Sequence, residues 1–218
     1  MCFHSNIPDI LIKTEWFIQK NNSPKTDTLL FHRSLDKVMA YSLNVQTGQL
    51  IPSNPAFVAT RPGSGPRHFT FHPTGKFAYV INEIDATITS FNYKNGALET
   101  IQTVNNLPED YKGRKWAADI HISPDGKFLY ASNRAEHESL SIFKIGKKTG
   151  KLTLVGHQPV NGKTPRNFAI DPTGNFVLVA NQDSDNITIF KRDKKTGKLM
   201  ATGKEIKVSM PVCLKFIP

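Results

Sequence analysis

Short stretches in which apolar and polar residues alternate recur along this chain, separated by turn signals, and they set the first expectation. His68 to Phe71 reads as one strand, and Lys76 to Asn82, rich in aromatic and β-branched residues, as a second. Thr87 to Tyr93 follows with Ile88 and Phe91 available to a core, and Leu98 to Val104 closes the group. Pro73-Thr74-Gly75 supplies one turn, the proline presetting φ and the glycine accepting positive φ. Asn95-Gly96 is a two-residue hairpin signal. The same order returns twice. Phe128 to Ser132, Ser139 to Ile145 and Leu152 to Val155 form one set, and Phe176 to Ala180, Asn186 to Phe190 and the stretch from Leu199 form the next.

The turns fix the period. His72-Pro73-Thr74-Gly75-Lys76-Phe77, Ser123-Pro124-Asp125-Gly126-Lys127-Phe128 and Asp171-Pro172-Thr173-Gly174-Asn175-Phe176 place their prolines 124 − 73 = 51 and 172 − 124 = 48 residues apart. A weaker copy starts at Ser23-Pro24, with 73 − 24 = 49. Four short strands per unit of about fifty residues predict an all-β chain, a partial β-propeller of about four four-stranded blades. The repeating region is residues 23–218, behind an atypical segment, 1–22, in which Trp16, Phe17 and Ile18 could add a strand before the loop Asn21 to Pro24. Val212 to Ile217 resembles the opening strand of a further unit. Terminal blade faces without a neighbour predict self-association through exposed edges.

Composition changes this picture little. The net charge of +10 collects in turns such as Lys147 to Lys151 and Lys194 to Lys198, which lack interleaved aromatics. This reads as solvated surface, not a nucleic-acid interface, and it favours an anionic small-molecule substrate. No run of 18 apolar residues could span a membrane, and the first twenty residues lack the features of a secretory signal. Cys2 and Cys213, without metal spacing, predict free thiols in a reducing compartment, the cytoplasm.

A repeat allows comparison at matched positions. Counting from each turn proline, the ninth residue downstream is Asn82, Asn133 or Asn181, an agreement that predicts a structural role. The tenth is Glu83, Arg134 or Gln182. The sixth upstream is Arg67, Ala118 or Arg166, and the fifth is His68, Asp119 or Asn167. A hairpin brings the upstream and downstream positions to one end. This predicts Arg67 beside Glu83, Asp119 beside Arg134 and Arg166 beside Gln182, all at one rim near the axis. His121, beside Asp119, joins the candidates. The catalytic candidates are Arg67, Glu83, Arg134 and His121; the substrate-binding candidates are His68, Asp119, Arg166 and Gln182. No nucleophile elbow, Walker loop, dinucleotide fingerprint or zinc spacing occurs. The set suits an anionic substrate and acid–base chemistry without metal or cofactor, arginine binding an anion or stabilising an oxyanion and histidine or carboxylate taking a proton from water.

Gly65-Pro66-Arg67-His68-Phe69, His72-Pro73 and Asn82-Glu83 resemble the seven-bladed propeller lactonases. So do Trp116 through Gly126, Asn133-Arg134 and Thr164-Pro165-Arg166-Asn167-Phe168, the likeness covering about residues 34–218. That family takes in bacterial 6-phosphogluconolactonase and fungal carboxymuconate lactonising enzyme. The resemblance implies metal-free hydrolysis of a sugar lactone, 6-phosphogluconolactone in the pentose phosphate pathway. It also implies that Arg67, Glu83 and Arg134 correspond to the arginine, glutamate and second arginine of the cyclase site. The histidine-bearing strand of that branch aligns near Glu15 to Gln19, where no histidine stands, and three further upstream blades have no counterpart. A non-catalytic binding module and a lactonising cyclase are the alternatives.

Overall fold

The structure is a computed structural model that describes residues 18–20, 27–32, 35–44 and 46–216. Within these residues sixteen strands form four antiparallel meanders of four. The first contains β1 (Ile18–Lys20), β2 (Asp27–His32), β3 (Lys37–Leu43) and β4 (Leu50–Ala59). The second contains β5 (Pro66–Phe71), β6 (Phe77–Asn82), β7 (Thr87–Lys94) and β8 (Ala97–Asn105). The third runs β9 (Ala117–Ile122), β10 (Phe128–Asn133), β11 (Ser139–Ile145) and β12 (Leu152–Pro159). The fourth runs β13 (Pro165–Ile170), β14 (Phe176–Asn181), β15 (Asn186–Arg192) and β16 (Leu199–Lys207). These are four blades of a β-propeller, with β5, β9 and β13 side by side as inner strands.

The first blade takes in Ile18–Lys20, inside the stretch that carries no readable repeat, because Gln19 pairs with Leu29 in an ordinary antiparallel ladder. Trp16, Phe17, the turn at Ser23-Pro24, Cys2, His4 and most of the segment aligned with the family's histidine strand lie outside the described residues.

Blades pack face to face, so most strands are buried on both sides. Tyr79, Ile81, Ile88, Leu129 and Phe143 fill the space between the second and third blades. Tyr130, Phe168, Val177 and Phe190 do so between the third and fourth. Each such side chain contributes roughly 1.5–3 kcal/mol by leaving water. Polar latches repeat with the period. Tyr79 Oη donates to the Gly150 carbonyl at 2.9 Å, and Tyr130 Oη to the Gly197 carbonyl at 2.7 Å. Those two glycines hold φ of +65° and +76°, and a Cβ on either would run into Phe77 or Phe128 of the preceding blade. Phe176, at the equivalent place in the fourth blade, meets no following turn among the described residues and stays 40% exposed.

Val212 to Phe216 is not a ladder strand, a departure from the expected opening strand. It nevertheless lies in the corresponding place. The Leu214 N–H donates to Asn167 Oδ1 at 2.6 Å, just as the Phe168 N–H donates to Asp119 Oδ2 at 3.2 Å one blade earlier. No hairpin partner follows it within the described residues, so no ladder forms.

Candidate active site

The upper ends of the inner strands carry bulges. Pro66 pairs with Asn82 and His68 with Ile81, leaving Arg67 as the extra residue, and Arg166 is extra in the same way between Pro165 and Asn167. A bulge re-aims the side chain it carries, and here it sets the two arginines at the rim. Asn82, Asn133 and Asn181 brace this end from within. Their side-chain amides donate to third-strand hydroxyls: Asn82 to Thr87 and Thr89, Asn133 to Ser139 and Ser141, Asn181 to Thr188.

Two polar clusters occupy the rim. In the first, Glu83 accepts from Arg134 through Nη2 and from Trp116 Nε1 at 2.8 Å, and Arg67 Nε stands 3.6 Å from the same oxygen. Arg67 also donates to the Ala118 carbonyl at 2.5 Å and Arg134 to the Ala117 carbonyl at 2.9 Å. The Arg134 guanidinium lies 4.6 Å from the Trp116 ring centroid. All three charged residues are 4–5% exposed. Burial lowers the Arg67 pKa to about 10, with Glu83 opposing and Arg134 adding to the fall.

The second cluster centres on Asp119. His68 Nδ1 lies 2.6 Å from Oδ1, and His121 Nε2 lies 3.0 Å from Oδ2. Asn167 Nδ2 donates to Oδ2 at 2.6 Å, and the Ile120 and Phe168 N–H groups donate at 2.9 and 3.2 Å. Burial alone would raise the Asp119 pKa, but His121 and His68 together hold it well below the ordinary carboxylate value. Burial works against the charge of His121 too; the adjoining carboxylate outweighs it and raises that pKa. For His68 burial prevails, helped by Arg67 and His121, and lowers the imidazole pKa against the pull of Asp119. The His121 side chain is 41% exposed, and its ring stands edge-on to Phe168 at 4.8 Å. Bound to Asp119 through Nε2, it leaves Nδ1 for a ligand.

The structure thus brings Arg67, Glu83 and Arg134 into one lattice and His68, Asp119 and His121 into another. Two of the three expected neighbour pairs are not joined by a side-chain bond among the described residues. Arg134 reaches back to Glu83 of the preceding blade and not to Asp119, which is saturated by imidazoles, an amide and backbone. Arg166 and Gln182 share no hydrogen bond among the described residues; Gln182 joins the opening strand through its backbone N–H to Thr164 O at 3.0 Å. Arg166 is half-buried, close enough to Arg67 for their charges to repel, and makes no ion pair among the described residues. Sequence comparison missed Trp116 as a site residue and passed over Asn167; an aromatic just before an inner strand, after a basic insertion, was the available signal. No group of three or more metal-ligating side chains is arranged for a metal among the described residues, and no helix there is long and apolar enough to cross a membrane.

Four repeated blades converging on a rim of histidine, carboxylate and arginine define a β-propeller with a polar inner site. The chain belongs to the lactonase family of seven-bladed β-propellers, whose sequence profile matches residues 20–216. It is 44% identical over 173 residues to a 6-phosphogluconolactonase of Formosa agariphila, covering 78% of this chain and 49% of that protein. It is 42% identical over 153 residues to one from Pectobacterium carotovorum, covering 69% and 45%. The periplasmic gluconolactonase of Pseudomonas aeruginosa superimposes with a TM-score of 0.87 at 35% identity, over 92% of this chain and 56% of that one. The chain spans about half the length of the curated relatives it matches.

Proposed function

We propose that these blades carry the site of a lactonase acting on an anionic sugar lactone, 6-phosphogluconolactone, in the cytoplasm. The observation that carries the reading is His121, oriented by a buried, ionised Asp119 and open on its second ring nitrogen, in a rim that also holds Arg166. The relatives named 6-phosphogluconolactonase support the substrate class, and the two cysteines of the sequence support a reducing compartment.

In the reaction, His121 Nδ1 takes a proton from water as its oxygen bonds to the lactone carbonyl carbon. The ring C–O ester bond then breaks, and the proton passes to the departing oxygen, leaving a carboxylic acid that ionises and a hydroxyl. Asp119 stabilises the imidazolium formed in between. Arg166, without a competing carboxylate, faces the substrate anion or the developing oxyanion. Arg67, Glu83 and Arg134 form the neighbouring wall, their charges already engaged with one another.

The test is hydrolysis of freshly generated 6-phosphogluconolactone by the purified chain, beside His121→Asn and Asp119→Asn. Losses of about 100-fold or more are expected for both. Full rates in both variants would refute the assignment.

A further inference from the structure

The connection from β8 to β9, Asn106 to Trp116, is about twice as long as its counterparts from Thr60 to Gly65 and from Val160 to Thr164. It is held in one shape. The Tyr111 N–H donates to the Pro108 carbonyl at 3.2 Å, and Tyr111 Oη donates to the Arg114 carbonyl at 3.2 Å. The Tyr111 ring stands edge-on to His137, itself edge-on to His157, each pair 5.3 Å apart. This braced loop delivers Arg114 onto Trp116, with the guanidinium 3.9 Å from the indole centroid. Trp116 is in turn bonded to Glu83 and stacked on Arg134.

Four other arginines among the described residues have their charges engaged. Arg61 approaches Asp85, Arg67 and Arg134 share Glu83, and Arg192 binds Asp125, Tyr130 and Gly174. Arg114 and Arg166 alone among the described arginines make no hydrogen bond or ion pair through the guanidinium. Stacking occupies only the face of the Arg114 group. Its in-plane N–H donors remain at an exposed edge, in the fork that matches a phosphate or carboxylate. Lys112 and Lys115, both exposed, add positive charge on the same loop, which also carries Glu109 and Asp110; Lys115 lies near Asp85, and Glu136 comes against Gly113.

We propose that Arg114, laid flat on Trp116, is the anchor for a phosphomonoester at the far end of the substrate from the lactone carbonyl. It is a specificity residue for the phosphorylated substrate. This rests on the lactonase reading of the rim and deepens it, since Arg166 and His121 serve the carbonyl end and Arg114 the phosphate end. The stack holds the guanidinium in place before the ligand arrives, so less side-chain entropy is lost on binding.

The experiment uses the chain with Trp16→Phe, which leaves Trp116 as its single tryptophan. Emission and calorimetric heat are followed during titration with 6-phosphogluconate, gluconate and inorganic phosphate. The phosphorylated acid is expected to perturb Trp116 emission and to bind about tenfold or more tightly than gluconate. Arg114→Ala removes the preference, and Arg114→Lys, which keeps charge without the fork, retains part of it. Equal affinity for the two acids, an undiminished preference in Arg114→Ala, or no binding of 6-phosphogluconate each overturns the proposal. Binding of inorganic phosphate as tight as that of 6-phosphogluconate assigns the loop to free phosphate and overturns it too. Phosphate preference without lactone hydrolysis would strike the reaction and leave the anchor standing; hydrolysis without phosphate preference would strike the anchor alone.

Discussion

Replacing Asp119 by alanine removes one carboxylate that five donors share: His68, His121, Asn167 and the N–H groups of Ile120 and Phe168. Alanine offers nothing in return. Orphaning a buried backbone donor costs about 1–3 kcal/mol, and two are orphaned here. Removing one member of a buried charged cluster costs about 3–5 kcal/mol in total once some water has re-entered. For a chain of this size, about 2–4 °C per kcal/mol puts the melting temperature roughly 10 °C lower. Asp119→Asn keeps the volume and one acceptor oxygen, so it loses less stability, but it removes the charge. Burial then acts on His121 unopposed, and its titration midpoint falls from above 6.5 to below it. The signs of the two linkages are opposite. The stability contributed by His121 is complete below pH 6.5 and fades as pH rises through its raised folded value. That of Asp119 is complete above the ordinary carboxylate value and fades as pH falls through its depressed one. Wild type should therefore lead the asparagine variant by most between about pH 4 and 6.5. Urea titration with constant slope measures the stabilities, and the imidazole proton shifts in NMR measure His121. A loss under about 1 kcal/mol in the alanine variant, or an unmoved His121 midpoint in the asparagine variant, would refute the reasoning.

Three further outcomes follow from the same geometry. Arg166→Ala should raise KM for the anionic lactone far more than it lowers kcat, in steady-state kinetics; a pure kcat loss would place Arg166 in the transition state alone. Gly197→Ala forces a Cβ into Phe128 at a φ of +76° and should cost about 2–4 kcal/mol in chemical denaturation, whereas an unchanged midpoint would show that the blade contact yields. Burial raises the pKa of Glu138, whose Oε2 accepts the Thr164 N–H at 2.9 Å, to about 7. Its protonated form is favoured by folding, so that contribution is present at acid pH and lost as pH rises through about 7. Glu138→Gln should accordingly flatten the decline of melting temperature over that range, and parallel curves would disprove the shift.

The period of the turn prolines and glycines was enough to count the blades and to place most strands, because each unit repeats the same local instructions. Phe77, Phe128 and Phe176 begin matched strands, and Gly150 and Gly197 sit in matched turns. Comparison of repeats also brought out Arg67, Glu83, Arg134, Asp119 and His121 as positions where the blade's common needs do not dictate the residue. Sequence set Arg67 beside Glu83 but could not tell which partners the others would take. Partner choice runs between blades: Arg134 turns to Glu83, and Asp119 to His68 on one side and Asn167 on the other. Those contacts join residues about fifty positions apart, and their geometry depends on bulges that hydrophobic alternation does not encode. Trp16, Phe17 and Ile18 suggested a strand, and the ladder at Ile18–Lys20 takes in the last of them, whereas Val212 to Phe216 was over-read because a strand needs a partner as well as a sequence. Tertiary structure alone set the burial of the Glu83 lattice, the exposure of His121 and the seat of Arg114 on Trp116, since desolvation and stacking are properties of neighbours that the chain brings together only by closing blade on blade.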